Sequence, residues 1–209
     1  MGGFSLTEIL IVVFVVMVVL AIAIPNVLLA VSNIRLRASA GDLAGLLQQA
    51  RILSAKNNTA YPVLYATRNG AQIAFVDLNG DGVWENNVTV TIGGVSVTLS
   101  EPMIELSGGT VAASGAPSGS GQPTPYVLAG DSGSGSYDNT NTLGFNSRGL
   151  PCNYDTTTTP PTCNTPSAKY FVYYLTNARI GSGGAGWAGV VVTKGGRTKI
   201  VTWNGGAWN

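Results

Sequence analysis

The chain has 209 residues and a nearly balanced charge, 11 Lys plus Arg against 10 Asp plus Glu. Only 10% of residues are charged, against about 25% in an average soluble protein, and 28 are glycine, which suits an exported β-rich protein better than a cytoplasmic enzyme. There is no histidine, which excludes Ser-His-Asp and Cys-His catalysis, histidine metal sites and a histidine pH switch.

The charge is unevenly placed. Residues 57–168 carry Arg68 and Arg148 against eight acids, whereas residues 169–209 carry five cations and no acid. The stretch 35–56 adds Arg35, Arg37, Arg51 and Lys56 against Asp42. Such asymmetry points to a polyanionic partner or to matching surfaces between subunits.

The first element is an apolar helix. Every residue from Ile9 to Ile24 is apolar, and the character continues to Val31, long enough to cross a bilayer. A cleaved secretory signal would carry a basic n-region and a shorter apolar run. Here an acid, Glu8, stands at the edge of the run, where a carboxylate at membrane depth costs several kcal/mol unless paired. Pro25 lacks an N–H and predicts a kink or local melting near Ile22–Asn26. Beyond it, positions 43, 46, 47, 50 and 53 keep helical apolar spacing, and the Asn57-Asn58 pair suits a helix stop. One helix is predicted from about Ser5 to Lys56, roughly 75 Å long.

The segment Gly3-Phe4-Ser5-Leu6-Thr7-Glu8, followed by ILIVV and then by Pro25, resembles the N-terminus of type IV pilins and type II secretion pseudopilins. The resemblance implies that prepilin peptidase cuts between Gly3 and Phe4, leaving residues 1–3 as leader, and that the new amine is methylated. It implies that Glu8 neutralises the N-terminal ammonium of a neighbouring subunit during assembly. Residues 4–31 would then be the membrane and filament-core half of the helix, and residues 32–56 its amphipathic half.

The rest, residues 57–209, reads as strands. Tyr61–Thr67 and Gln72–Asp77 flank Asn69-Gly70, a strong hairpin signal. Val88–Ile92 and Val95–Leu99 alternate around Gly93-Gly94. Later candidates are Leu143–Asn146, Tyr170–Thr176, Gly189–Lys194 and Arg197–Trp203, and residues 107–141, rich in Gly, Ser, Pro and Thr, read as an inserted surface loop. The sequence predicts an α+β fold, a long N-terminal helix packed on a C-terminal antiparallel β-sheet or β-sandwich-like domain.

Three constellations could carry chemistry. Asp77, Asn79 and Asp81 with Gly82 match the first half of an EF-hand loop, with Glu85 at its ninth position. Val88 stands where that loop needs its bidentate glutamate, so the residues read either as a calcium site or as plain Asx-Gly turns. Calcium is the one candidate cofactor. Cys152 and Cys163 enclose ten residues and predict a structural disulfide in an exported protein. The terminal hairpin, turned at Gly195-Gly196, would place Lys194 opposite Arg197, Val192 opposite Lys199 and Val190 opposite Val201. Lys194, Arg197, Lys199 and Trp203 would then share a face, able to hold nucleic-acid backbone and stack a base, or to stay solvated and protect an edge strand.

Arg35–Lys56, FVDLNGDG, Leu143–Gly149 and the terminal GGRTKIVTWNGGAW are similar to the GspH/FimT group of minor pilins. That resemblance implies a pilin fold and a structural, non-enzymatic role in a type IV pilus or type II secretion pseudopilus. The implied location is the bacterial inner membrane, with a periplasmic domain, and later the filament. The implied partners are other pilin subunits and prepilin peptidase. The group is associated with DNA uptake through a Gly-Arg-x-Arg element, which here reads Gly196-Arg197-Thr198-Lys199. A DNA-binding pilin of a transformation pilus and the major pilin of an adhesive or motility pilus are the alternatives.

Overall fold

The apolar run folds as the sequence predicts, but the helix does not break. In the computed structural model, which describes residues 5–113, 116–117, 137–138, 142–155, 158, 161–164, 170–177 and 186–209, a single helix α1 occupies Leu6–Asn57. At 1.5 Å per residue its 52 residues span about 78 Å. It continues through Pro25 without the local melting that proline allows. The Asn26 side-chain amide donates to the Ile22 carbonyl at 3.2 Å, one residue past the Ala21 carbonyl that proline leaves without its helical N–H partner. Asn58 ends the helix in the left-handed conformation, φ 52°, with its N–H returned to the Ser54 carbonyl.

The two halves of α1 meet different surroundings. None of residues 6–31 is buried, and this helix is long and apolar enough to cross a membrane, with a mean hydropathy of 3.0 in its most apolar stretch. From Ser32 onward, Leu36, Ala40, Leu43, Leu47 and Ala50 are buried at alternating steps of four and three, the spacing of one helical face.

Thirteen strands are described: β1 Tyr61–Arg68, β2 Ala71–Val76, β3 Val88–Ile92, β4 Val95–Leu99, β5 Met103–Glu105, β6 Thr110–Ala113, β7 Tyr137–Asp138, β8 Leu143–Phe145, β9 Pro151–Asp155, β10 Thr162–Asn164, β11 Tyr170–Asn177, β12 Trp187–Thr193 and β13 Thr198–Trp203. One antiparallel sheet has the order β10-β9-β8-β1-β2-β5. The other has the order β13-β12-β11-β6, with β7 pairing parallel to β11, and β3-β4 form a separate ribbon. The fold is therefore α+β, one long helix packed on antiparallel sheets. Tyr61, Val63 and Phe145 from the first sheet and Phe171, Leu175 and Val190 from the second join the buried stripe of α1 in one core. Tyr65 and Tyr173 meet edge to face across the two sheets, ring centroids 5.5 Å apart.

Both early hairpins form around the predicted turns. Arg68 pairs with Ala71 around Asn69 and Gly70, both at positive φ, the conformation that a tight two-residue turn requires. Ile92 pairs with Val95 around Gly93-Gly94. The insert is corrected at its start: residues 110–113 are strand β6, paired to β11 through Thr110↔Asn177 and Ala112↔Leu175. Thr110-Val111-Ala112-Ala113 lacks an apolar/polar alternation that would mark a strand, so its structure comes from the partner strand. Most of the remaining insert, to residue 141, lies outside the described residues, as do Gly3 and Phe4.

Cys152 and Cys163 form the expected disulfide, with Cα atoms 5.4 Å apart and a sequence separation of 11. They lie on β9 and β10, a pair the sequence did not suggest. Reduction is expected to cost about 3 kcal/mol, the chain-entropy value for a loop of this size. Urea unfolding with and without reductant checks this, and coincident midpoints would contradict it.

Candidate functional site

The C-terminal hairpin folds in a register one residue away from the expected one. Val192 pairs with Thr198, Val191 with Lys199 and Val190 with Ile200. The cause is a three-residue loop, Lys194-Gly195-Gly196. The Gly196 N–H donates to the Thr193 carbonyl at 2.7 Å and the Thr193 N–H to the Arg197 carbonyl at 2.9 Å. Gly196 at φ 76° supplies the bulge that such a loop requires. Lys194 and Arg197 are therefore exposed turn residues, and Lys199 is exposed on the strand. Trp203 is not available to stack a base. It is 6% exposed, with its ring 5.4 Å from that of Trp208. Behind it the outer face of the second sheet carries a small core of Tyr170, Val172, Tyr174, Val191 and Val201.

The hairpin tip is fixed to the distal half of α1. Gln48 Nε2 donates to the Gly196 carbonyl and to Thr198 Oγ1, both at 3.1 Å, and Arg51 Nη1 donates to the same carbonyl at 3.1 Å. The Asn146–Leu150 turn closes on the other side. Asn146 Oδ1 accepts the N–H groups of Arg148 and Leu150, at 2.9 and 3.0 Å. A Cβ on Gly196 would lie 3.1 Å from Arg51 Cζ and 3.2 Å from the Gly149 carbonyl, and one on Gly149 would lie 3.1 Å from Arg51 Cγ. Glycine at both positions thus lets two turns close around one guanidinium. The arrangement gathers Arg51, Arg148, Lys194 and Arg197 at one end of the domain, with Arg148 exposed. Sequence reasoning missed Arg51 and Arg148 as members of this group. They lie more than forty residues from the hairpin in the chain, and no local spacing joins them to it.

The Asp77–Glu85 loop is built by its own acids. Asp77, 1% exposed, accepts the Gly80 and Gly82 N–H groups at 2.6 and 2.9 Å. Asn79 Oδ1 accepts the Asp81 N–H at 3.1 Å, and its Nδ2 donates to Asp81 at 2.8 Å and to Glu85 at 3.2 Å. The amide nitrogen of Asn79, a donor, faces both carboxylates. Among the described residues, no three His, Cys, Asp or Glu side chains are grouped to hold a metal ion. The residue missed here is Glu101. It is 2% exposed and closes the loop by accepting the Leu78 N–H at 2.8 Å and the Glu85 N–H at 2.7 Å. Beside the loop Arg68 stacks over Trp84, 4.2 Å from the ring centroid.

Burial raises the carboxyl of Asp77 above its ordinary 3.8 and that of Glu101 above its ordinary 4.5, against the opposing pull of the loop N–H groups. A raised folded value means that the folded state holds the proton more tightly. Stability from this source is then full below the unfolded value and is lost as pH rises through the raised one. Glu101→Gln, which cannot ionise, is expected to lose part of the fall in stability above pH 4.5. Urea midpoints across pH check this, and identical pH slopes in the two proteins would contradict it.

Comparison with known protein families, curated proteins and solved structures finds no match for this chain.

Proposed function

We propose that the chain is a structural subunit of a type IV pilus or type II secretion pseudopilus, a minor pilin or pseudopilin with no catalytic role. The observation that carries this reading is the division of α1. Its first half buries nothing on its own domain, and its second half is the spine of the core. An exposed apolar rod of this length needs a bilayer or other rods around it, since hydrocarbon left in water costs about 25 cal/mol per Å². The resemblance at Gly3–Glu8 supplies the rest: processing at Gly3/Phe4, single-pass insertion in the inner membrane, and assembly through Glu8 and the apolar helix. The pilin fold is part of the same proposal.

The test is quantitative mass spectrometry of sheared surface filaments and of the membrane fraction. A processed, methylated Phe4 terminus at trace level in filaments is expected. The same terminus as the dominant filament protein would make this the major pilin. An unprocessed terminus found only in membranes would overturn the filament reading.

A second reading, a DNA-capturing pilin, is favoured by the gathering of Arg51, Arg148, Lys194 and Arg197 around Gly149 and Gly196. In this reading the exposed Arg148, Lys194 and Arg197 hold phosphates and Arg51 fixes the turns that present them, without the base stacking first assigned to Trp203.

A further inference from the structure

At the opposite end of the domain, where α1 emerges towards its exposed half, a cleft of about 340 Å³ opens between the helix and the second sheet. Asn33, Ile34 and Arg37 line it from α1, and Trp187, Thr202 and Asn204 from the ends of β12 and β13. No lining side chain is acidic, and Asn209, which also lines the cleft, has its carbonyl oxygen engaged by the Thr202 N–H at 2.9 Å. Its volume lies at the lower end of the range for small-molecule sites, and it combines an aromatic wall with a few polar groups, as such sites do. Arg37 is exposed, and Trp187 is half-buried.

The position of the cleft along α1 selects its occupant. The apolar run ends at Val31. Arg37 follows six residues later, about 9 Å along the axis. The headgroup layer on each side of a bilayer's hydrocarbon core is about 5–7 Å deep. Side chains of an α-helix lean towards its N-terminus, so the Arg37 guanidinium reaches back towards that layer. Tryptophan is favoured at the same depth, where its ring lies in the interface. Arg35, on the other flank of the helix, is packed against Gly108, where an added Cβ would fall 2.6 Å from Nη1. Arg35 therefore marks the same level without entering the cleft.

We propose that this cleft seats the headgroup of an anionic glycerophospholipid in the leaflet facing the globular domain. Arg37 pairs with the phosphodiester, Asn33 and Asn204 hydrogen-bond its remaining oxygens, and Trp187 covers the glycerol edge. The guanidinium fork suits a phosphate better than an ammonium would. The inference rests on α1 spanning a membrane.

The experiment reconstitutes the full chain into vesicles of phosphatidylcholine and phosphatidylglycerol in equal parts. The protein is then recovered in mild detergent, and its retained lipid is quantified by mass spectrometry. Phosphatidylglycerol should be enriched over its bulk share. Arg37→Gln should lower that enrichment about fivefold, the effect of one cation at an anionic surface. Arg37→Lys should keep part of it, and Arg35→Gln should keep nearly all. Near-UV circular dichroism confirms that each variant is folded. Full partition into vesicles with enrichment unchanged in Arg37→Gln would overturn the cleft and leave the membrane span standing. Equal losses in Arg35→Gln and Arg37→Gln would reduce the effect to diffuse surface charge and overturn a built site. Impaired subunit association in Arg37→Gln, with lipid retention unchanged, would assign the cleft to a second copy instead. Failure of the wild-type chain to enter vesicles would overturn the membrane span and the cleft proposal with it.

Discussion

Glu8→Val is expected to leave membrane insertion intact and to lower incorporation into filaments at least a hundredfold. Glu8 is the single charged residue between positions 5 and 34. The next cation along the helix, Arg35, is 27 residues away, about 40 Å on a helix. No cation further along α1 can therefore neutralise Glu8. A lone carboxylate in hydrocarbon costs about 3 kcal/mol on insertion scales. Valine removes that cost and lengthens the apolar run, so insertion should be as good or better. Assembly is different. If Glu8 pairs with the terminal ammonium of a neighbour, the variant strands that ammonium among apolar helices, and breaking a buried pair costs about 3–5 kcal/mol. That corresponds to a factor of hundreds or more in incorporation. The ratio of filament to membrane protein, read by quantitative mass spectrometry, decides it. Wild-type incorporation by Glu8→Val would refute the pairing role. Glu8→Asp, which keeps the charge on a shorter stem, should fall between the two.

Much of the architecture could be read locally. The long helix, its end at Asn57-Asn58 and the first two hairpins depend on apolar runs, left-handed residues and two-residue turns, and each of these leaves a short-range mark. What escaped depends on partners remote in the chain. Strand β6 is held by β11, more than sixty residues later, and β9 and β10 pair across the disulfide loop. The register of the last hairpin turned on Gly196 adopting a bulge, one of two ways to use Gly195-Gly196, which differ by one residue. That slip moved the partner of every residue on β13, although period-two alternation still placed Lys199, Val201 and Trp203 on one face. The burial of Trp203 could not be read from its own strand, because Trp208 covers it from a return bridge near the chain end. Glu101 escaped for the same reason. Its loop partners lie sixteen and twenty-three residues away, and a buried acid has no periodic signature.

Removing Arg148 and Arg197 together is expected to abolish most duplex binding by the full chain in detergent, if the second functional reading holds. Arg148, Lys194 and Arg197 are exposed on two turns that touch at Gly149 and Gly196, while Arg51 is held beneath them by the Gly196 carbonyl. Three exposed cations neutralising three phosphates would give a salt slope of about −2.7 on a double-logarithmic plot. Such binding is weak and largely lost at physiological salt, so the measurement belongs at low ionic strength. The double variant should flatten the slope to about −0.9 and weaken binding equally for unrelated duplex sequences, since phosphate contacts carry no sequence information. Trp203→Phe should change nothing, because its ring is covered. Arg51→Ala should weaken binding although Arg51 itself holds no phosphate, since it frees the turns that present the three exposed cations. Its effect would be separable by near-UV circular dichroism of the hairpin tryptophans. Fluorescence anisotropy of a labelled duplex over a salt series provides the slopes. An unchanged slope in the double variant would remove these turns from any nucleic-acid role and leave them as solvated ends of the sheets. A loss confined to one duplex sequence would mean that bases are read, which phosphate-holding cations alone cannot do.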